Sequence, residues 1–327
     1  MAEIAPRARR AAVLRRMALR ALGALGVVWA VATVSWLAVR AVPGDPALAI
    51  LGGPGSNATQ AALDQARADY GLDRPPLEQY LAMLGRLAQG DLGASYAQHR
   101  PVAELLGAQL PGTAALAAAA LLLAWLIALG SLAVSALGLG TRWGRAAGAL
   151  ASGLEIVASA IPSFWLGAVL IAIVAVGMRL PVAASDRGPL GLVLPAITLA
   201  IPLAGFLVQT MRGRVEETLE APFVEAARLR GDGPWRIFRR HLLRHAAVPA
   251  ANLSGWAFGS LVSGALIVEQ VFARPGLGRT LAQAVIDRDV PLVVGVLVVS
   301  AIAYAVVTVL ADAAVLALDP REREGAR

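Results

Sequence analysis

The chain has 327 residues, 57% of them hydrophobic and 16% charged, with a formal net charge of +7 and no cysteine. That balance is too apolar for an ordinary soluble domain and points to a polytopic membrane protein. The missing cysteines exclude a disulfide framework, a thiolate metal site and a cysteine nucleophile; all 29 basic residues are arginine, and their placement decides what the positive charge is for.

Six arginines between Arg7 and Arg20 precede an apolar run, Ala21–Val39. Charge followed by hydrophobicity is also the plan of a signal peptide. This run is longer than the usual signal core, and Arg40-Ala41-Val42-Pro43 is a poor cleavage site. The expectation is a basic tail over 1–20 and an uncleaved first transmembrane helix over 21–39.

Residues 40–112 are the longest segment between apolar runs, read as a helical lobe too short to be an independent domain. Thr59 is placed to cap a helix through about Tyr70, with Leu63 and Ala66 on one side. Leu77, Leu81, Leu84 and Ala88 form a second apolar stripe. Pro101 opens a third piece, with Val102, Leu105, Leu106 and Leu110 against the outer leaflet.

Five more runs of spanning length follow within 113–318: Thr113–Leu137, Ala149–Met178, Leu190–Met211, Ala247–Val271 and Pro291–Leu318. The fold class is therefore an all-α polytopic membrane protein with six transmembrane helices. Six spans put both termini on one side, the second ending in a tail over 319–327. Nineteen arginines then fall on the side of the termini and ten on the other, where ten acids neutralise them. The basic side is read as cytoplasmic, and the lobe as extracytoplasmic.

Polar groups inside spans are costly and are functional candidates by default. Glu155, Glu269 and Asp312 are the acids there. Glu155 and Glu269 stand as candidates for the translocation path, or as acids that reach water or pair with an arginine, Arg274 being close to Glu269 in sequence. Asp312 is read as structural. Pro162-Ser163 interrupts a long span, and the serine can satisfy a carbonyl that proline frees. Ser260, Ser263 and Gly264 give the fifth span a small polar face, for close packing or for a pore.

Residues 212–246 are a basic loop carrying eight arginines between two spans. Pro222 suits the first position of a helix, on which Phe223, Ala226, Ala227 and Arg230 recur at helical spacing. Gly231 stands where that helix ends, and Asp232-Gly233-Pro234 breaks the chain. A second helix from Pro234 carries Trp235, Phe238 and Leu242 on one side and Arg236, Arg240 and Arg244 on another. Two readings stand: a docking platform for a soluble protein, and an interfacial loop of basic amphipathic helices. His241 and His245 have zinc-binding spacing but no acidic companion, so no metal site is expected. No phosphate-cradling GxxxxGK[ST] occurs, so the chain is not expected to hydrolyse ATP, and no catalytic cluster suggests an enzyme.

Glu225-Ala226-Ala227 followed by Gly231, with Pro249 eighteen positions later, resembles the EAA loop of ABC-importer permeases. The RRHLLRHAAVP ending resembles the dipeptide/oligopeptide/nickel branch. So do Pro43-Gly44-Asp45-Pro46, Gly90-Asp91-Leu92-Gly93-Ala94-Ser95 and Arg100-Pro101-Val102. Farther on, Ile161–Gly167 is similar to that branch's IPSFWLG, Val268–Gly278 to its VExVFxxPGLG, and Leu318-Asp319-Pro320-Arg321 to its LDPR ending. There are departures: Ala221-Pro222 replaces a polar or acidic pair, Arg230 stands where lysine is common, and Glu225 where this branch often has arginine.

The resemblance implies a type I permease fold in a bacterial inner membrane. Phe223, Glu225, Ala226, Ala227, Arg230 and Gly231 would couple to the ATPase, and Glu155, Ser163, Ser260, Ser263 and Glu269 would be path candidates. It implies as partners a second related permease, two ATP-binding subunits holding ATP and magnesium, and an extracytoplasmic solute-binding protein, besides membrane lipid and without nucleic acid. The solute would be short peptides, with nickel or another small peptide-like solute as the alternative. An ATPase-independent secondary transporter is the reading of another class; it would show matched interrupted helices in two halves, and no such repeat is visible.

Overall fold

The computed structural model describes residues 6–41, 44–52, 57–137, 142–177 and 190–318. Among them the regular elements are helical. In chain order they are α1 (Pro6–Ala41), α2 (Pro46–Ile50), α3 (Gln60–Asp69), α4 (Pro76–Ala88), α5 (Val102–Leu137), α6 (Arg142–Ala160) and α7 (Ser163–Ile171). Then follow α8 (Leu190–Leu219), α9 (Pro222–Leu229), α10 (Pro234–Ile237), α11 (Leu243–Val271), α12 (Leu277–Ile286) and α13 (Val290–Leu318). Wider π-helical turns occupy Ala172–Gly177 and Phe238–Leu242.

Four helical stretches among the described residues are long and apolar enough to cross a membrane: Leu22–Ala41, Val102–Ala136, Gly191–Leu219 and Val290–Val309. A fifth arises if α6 and α7 count as one broken span. The expected run Ala149–Met178 is thus not a gently kinked rod, because its two helices meet at 103°. Pro162 lacks the N–H that would continue α6 and starts α7 afresh, with Leu166 donating back to its carbonyl at 3.0 Å. The Ser163 hydroxyl, expected to mend a freed carbonyl, makes no hydrogen bond among the described residues. In α11 the apolar stretch described is Trp256–Val271.

The chain divides into two compact units. One comprises residues 1–111 and 276–305. Here the backbone of the basic tail is helical from Pro6, continuous with the first span. Thr59 caps α3, its hydroxyl accepting from the amide of Ala62 at 3.3 Å. Ala47, Ile50 and Ala66 form a small buried cluster with Leu63 beside them. Of the stripe expected on α4 only Leu84 packs inward: Leu77, Leu81 and Ala88 are exposed, while Met83 is buried with Tyr80, Leu84 and Leu87 beside it against Ala32, Trp36, Val294 and Val298. Both faces of this helix carry apolar side chains, and the flexible thioether of Met83 fits the irregular gap against α1 and α13 that Tyr80, Leu84 and Leu87 also line. The third lobe piece is not separate either. Pro101 leads directly into α5, whose first turns bury Val102, Leu105 and Leu106 inside the protein. Ser95 and Asp289, both buried, are joined by a short hydrogen bond, and Asp289 also accepts from the amides of Ala97 and Leu292. A buried carboxylate with three donors is satisfied. Helix α12, not foreseen, follows the Pro275-Gly276 turn and buries Leu277, Leu281 and Ala284.

The other unit comprises residues 112–275 and 306–326. Its centre is α8, which packs against α6, α7 and α11 and buries Leu199, Leu203, Leu207 and Met211. Small residues allow the approach. A methyl group on Gly205 would stand 2.6 Å from the carbonyl oxygen of Glu155, and one on Gly264 would meet Leu199 at 2.9 Å. In α5 the buried residues Leu116, Ala120, Ala124, Ala128, Leu132 and Ala136 recur every four positions, a ridge along one face. Leu122, Leu126, Leu154 and Trp165 face outward, as apolar groups do where the solvent is lipid.

Candidate functional site

Helix α9 has no cap side chain at its start, but Pro222 supplies a preset φ at the first position. Its end is a Schellman turn. The amide of Gly231 donates to Arg228 at 2.9 Å and that of Asp232 to Ala227 at 3.1 Å. Gly231 sits at φ +85°, where a Cβ is unfavourable. The helix therefore ends where the sequence places its end.

Its inward face differs from the one expected. Val224 and Ala227 are fully buried among Ile237, Phe238 and Leu242. Ala226 is half-buried, and Phe223, Glu225, Arg230 and Gly231 are exposed. A two-turn helix has room for one i, i+3 pair facing the core, and the β-branched valine fills it; Phe223, one position earlier, is turned outward. Its ring lies 5.7 Å from the rings of both His241 and His245. Leu229 is 84% exposed and Trp235 54%, a level at which apolar side chains on a charged surface mark an interaction face.

The second half of the segment is not a separate short helix. Four residues of α10 pass through the π-helical turn at 238–242 into α11 without a break. Phe238 and Leu242 are buried as the pattern suggests, Ile237 joins them, and Trp235 stays outside, stacked on Phe238 at 5.6 Å. Arg236, Arg239, Arg240 and Arg244 are exposed. Arg236 pairs with Asp232 at 2.8 Å, and that hydrogen bond holds the Asp232 carboxyl below its ordinary range against the effect of burial. At the other end, α8 continues to Leu219, so residues 212–219 of the presumed loop are helix.

The membrane-buried candidates divide into separate places. Glu155 is 7% exposed and receives a two-point contact from Arg212: Nη2 to Oε1 at 2.5 Å and Nε to Oε2 at 3.2 Å. Ser131 donates to the same carboxylate. Arg212 also reaches Ser135 at 3.3 Å, and the Gln209 amide bonds Ser159 at 2.9 Å. This polar network ties α5, α6 and α8 together. Glu269 is fully buried and accepts from Thr113 at 2.6 Å. Arg274 donates its guanidinium to the carbonyl of Gly191 at 2.7 Å. Ser163 is half-buried, whereas Ser260 and Ser263 are exposed. The small face of α11 is therefore split, Gly264 packing on α8 and the two serines pointing away. None of the three serines bonds to Glu155 or Glu269 among the described residues. The Asp312 side chain, Pro43, the stretch 178–189 and the LDPR ending after Leu318 lie outside the described residues.

The family model of the binding-protein-dependent transport system inner membrane component matches residues 126–324, and that of its N-terminal part matches 13–117. The chain belongs to this family. A peptide transport system permease protein of Brucella abortus is 31% identical over 324 residues, covering 96% of this chain and 99% of the relative. A peptide ABC transporter permease protein of Sinorhizobium fredii is 30% identical, covering 95% and 98%. The oligopeptide transport system permease protein AppB of Bacillus subtilis is 29% identical, covering 92% and 97%. As a binding-protein-dependent transport inner-membrane component, the chain is a multipass permease of an ABC importer, and its family is one of transport permeases.

Sequence reasoning missed two partners in this permease, Arg212 for Glu155 and Thr113 for Glu269. Their separations are 57 and 156 residues. A signal for the first existed: a carboxylate inside a span needs a cation, and Arg212 is the first charge after the apolar run that packs beside it.

Proposed function

We propose that this permease forms half of the translocation pathway of an ATP-driven importer for short peptides. It would span the membrane six times with both termini cytoplasmic. The pathway would be completed by a second related permease and fed by an extracytoplasmic solute-binding protein. Two ATP-binding subunits, holding ATP and magnesium, would power it. The observation that carries this reading is α9, a two-turn helix anchored inward by Val224 and Ala227 and carrying Phe223 and Leu229 outward among arginines. Such a face suits insertion into a groove of a soluble subunit, and closure of that subunit would move the spans as rigid bodies. Glu155, Ser163, Ser260, Ser263 and Glu269 remain the path candidates, the exposed serines for a surface shared with the second permease. The relatives named for peptide transport favour peptides over nickel chelates.

Proteoliposomes holding the four-subunit complex are expected to accumulate a labelled tripeptide only with ATP, magnesium and the loaded binding protein present. Uptake driven by an ion gradient without ATP would instead favour a secondary transporter. For topology, a reporter active only outside the cytoplasm should work when fused near Gly188 and be silent near Gly233. The reverse pattern would overturn the orientation.

A further inference from the structure

The first unit carries an open-sided cavity of about 460 Å³ where the lobe meets the ends of α1 and α13. Its walls include Trp36 and Arg40 from the last turns of α1 and Pro291 and Val294 from the first turns of α13. The apolar stretches of these helices end at Ala41 and begin at Val290. The cavity therefore lies at the depth where hydrocarbon gives way to headgroups.

Its charge is unbalanced. Five arginines line it (40, 67, 74, 86 and 288) against Asp45, Asp69 and Asp91. The acids are occupied: Asp45 pairs with Arg67 and accepts from the amide of Ala47, Asp69 accepts from Gln65 at 2.8 Å, and Asp91 accepts from the amide of Gly93 at 2.8 Å. Arg40 donates to Gln79 at 3.0 Å and stacks over Trp36. The guanidinium groups of Arg74, Arg86 and Arg288 have no ion pair or hydrogen bond among the described residues. Tyr96 adds no negative charge, since burial pushes its phenol up to about 12. Arg288 is moreover held in an unfavourable backbone conformation, φ +54°, with its guanidinium laid against Gly44 where any Cβ would collide with it. Strain of this kind persists where the surroundings fix a side chain in place.

An apolar lane begins about one turn beyond these cations, since Trp36 is itself buried under α4 and Thr33 bonds the Tyr80 hydroxyl. Arg40, Trp36, Thr33, Trp29, Leu25 and Leu22 recur at three- and four-residue spacing on one face of α1. Trp29, Leu25 and Leu22 are all more than half exposed. A planar guanidinium matches phosphate oxygens two at a time. We propose that Arg74, Arg86 and Arg288 bind the phosphate of an anionic phospholipid whose acyl chain lies along this face of α1. A free phosphate would use the arginines but not the lane, as would an acidic segment of another protein.

This inference rests on the spans of α1 and α13 and not on the transport reading, so its test needs no transport. Delipidated full-length chain is titrated with phosphatidylglycerol and with phosphatidylcholine in detergent, and adducts are counted by native mass spectrometry. Phosphatidylglycerol is expected to bind in preference to the zwitterionic lipid, and millimolar inorganic phosphate is expected not to displace it. Arg74→Gln, Arg86→Gln and Arg288→Gln should each weaken it about fivefold, and the triple variant on the order of a hundredfold. Equal binding of the two lipids by the wild-type chain, a measurement that needs no variant, would overturn the proposal. So would undiminished phosphatidylglycerol binding by a folded triple variant. Displacement by inorganic phosphate or by an acidic peptide at concentrations matching the lipid would reassign the arginines to that ligand.

Discussion

Gly231→Val is expected to abolish ATP-driven uptake while leaving expression and membrane insertion nearly intact. The site is an exposed turn with no heavy atom near the missing Cβ, so valine meets no wall within the chain. It meets the backbone instead. At φ +85° a β-branched residue costs on the order of 1 kcal/mol or more. The chain relieves that by giving up the two hydrogen bonds that close α9, from Gly231 to Arg228 and from Asp232 to Ala227. The outer face carrying Phe223 and Leu229 then loses its fixed aim, and the new side chain stands where a partner must come close. Co-purification of the ATPase should weaken together with uptake. Gly231→Asn, which tolerates the left-handed conformation, should retain more of both. Glu225→Arg should be milder still, because related permeases accept arginine there. Wild-type uptake and co-purification in Gly231→Val would remove the coupling role from this stretch.

Arg212→Met is expected to destabilise the chain by about 3–5 kcal/mol, because it leaves Glu155 buried and unpaired. The carboxylate is 7% exposed and the guanidinium 19%, too deep for water to replace the lost partner fully. The paired change Glu155→Gln with Arg212→Met should recover most of the loss, since two neutral side chains need no mutual compensation. Thermal unfolding of the purified chain in one detergent measures all three variants. A loss below about 1 kcal/mol in Arg212→Met would mean that the pair is solvated like a surface ion pair. Uptake by the double variant then separates the two roles of Glu155. Recovered stability with lost uptake assigns it to the solute path; recovery of both assigns it to packing.

What could be read in the sequence is local chemistry. Thr59 before a helix and Gly231 after one announce themselves, because a cap is decided by the residue and its nearest neighbours. Pro162 announces a break for the same reason. The 103° between the two helices it separates is set by how α7 packs against α8, and no residue near Pro162 encodes that. Faces were harder than ends. On α4 and α9 both sides carry apolar residues, so periodicity gives the helix without saying which side is buried. Leu81 and Phe223 are exposed for that reason, and Met83 and Val224 are buried. A protein that meets lipid removes the polar face on which such readings depend. The Glu155–Arg212 network was only half legible: a carboxylate inside a span calls for a cation, but which arginine answers it, 57 residues away, is set by how α6 packs on α8.

The π-helical turn at 238–242 has a mechanical meaning. The thirty-eight residues from Pro234 to Val271 follow one uninterrupted helical path, and a hydrogen-bonded helix transmits a push along its length with little bending. The other side of Gly231 is built differently: α9 is joined to α8 by two residues and to α10 by a glycine-containing turn. A displacement of α9 is therefore passed on through its buried Val224 and Ala227 rather than along the chain, whereas one delivered to Arg236 or Arg240 reaches the far end of α11 as a rod is moved by its handle. The wide turn also lets this rod change face. One residue more or fewer within 238–242 would rotate everything before it by about 100° relative to α11, so the length of these five residues sets the direction in which the arginines point.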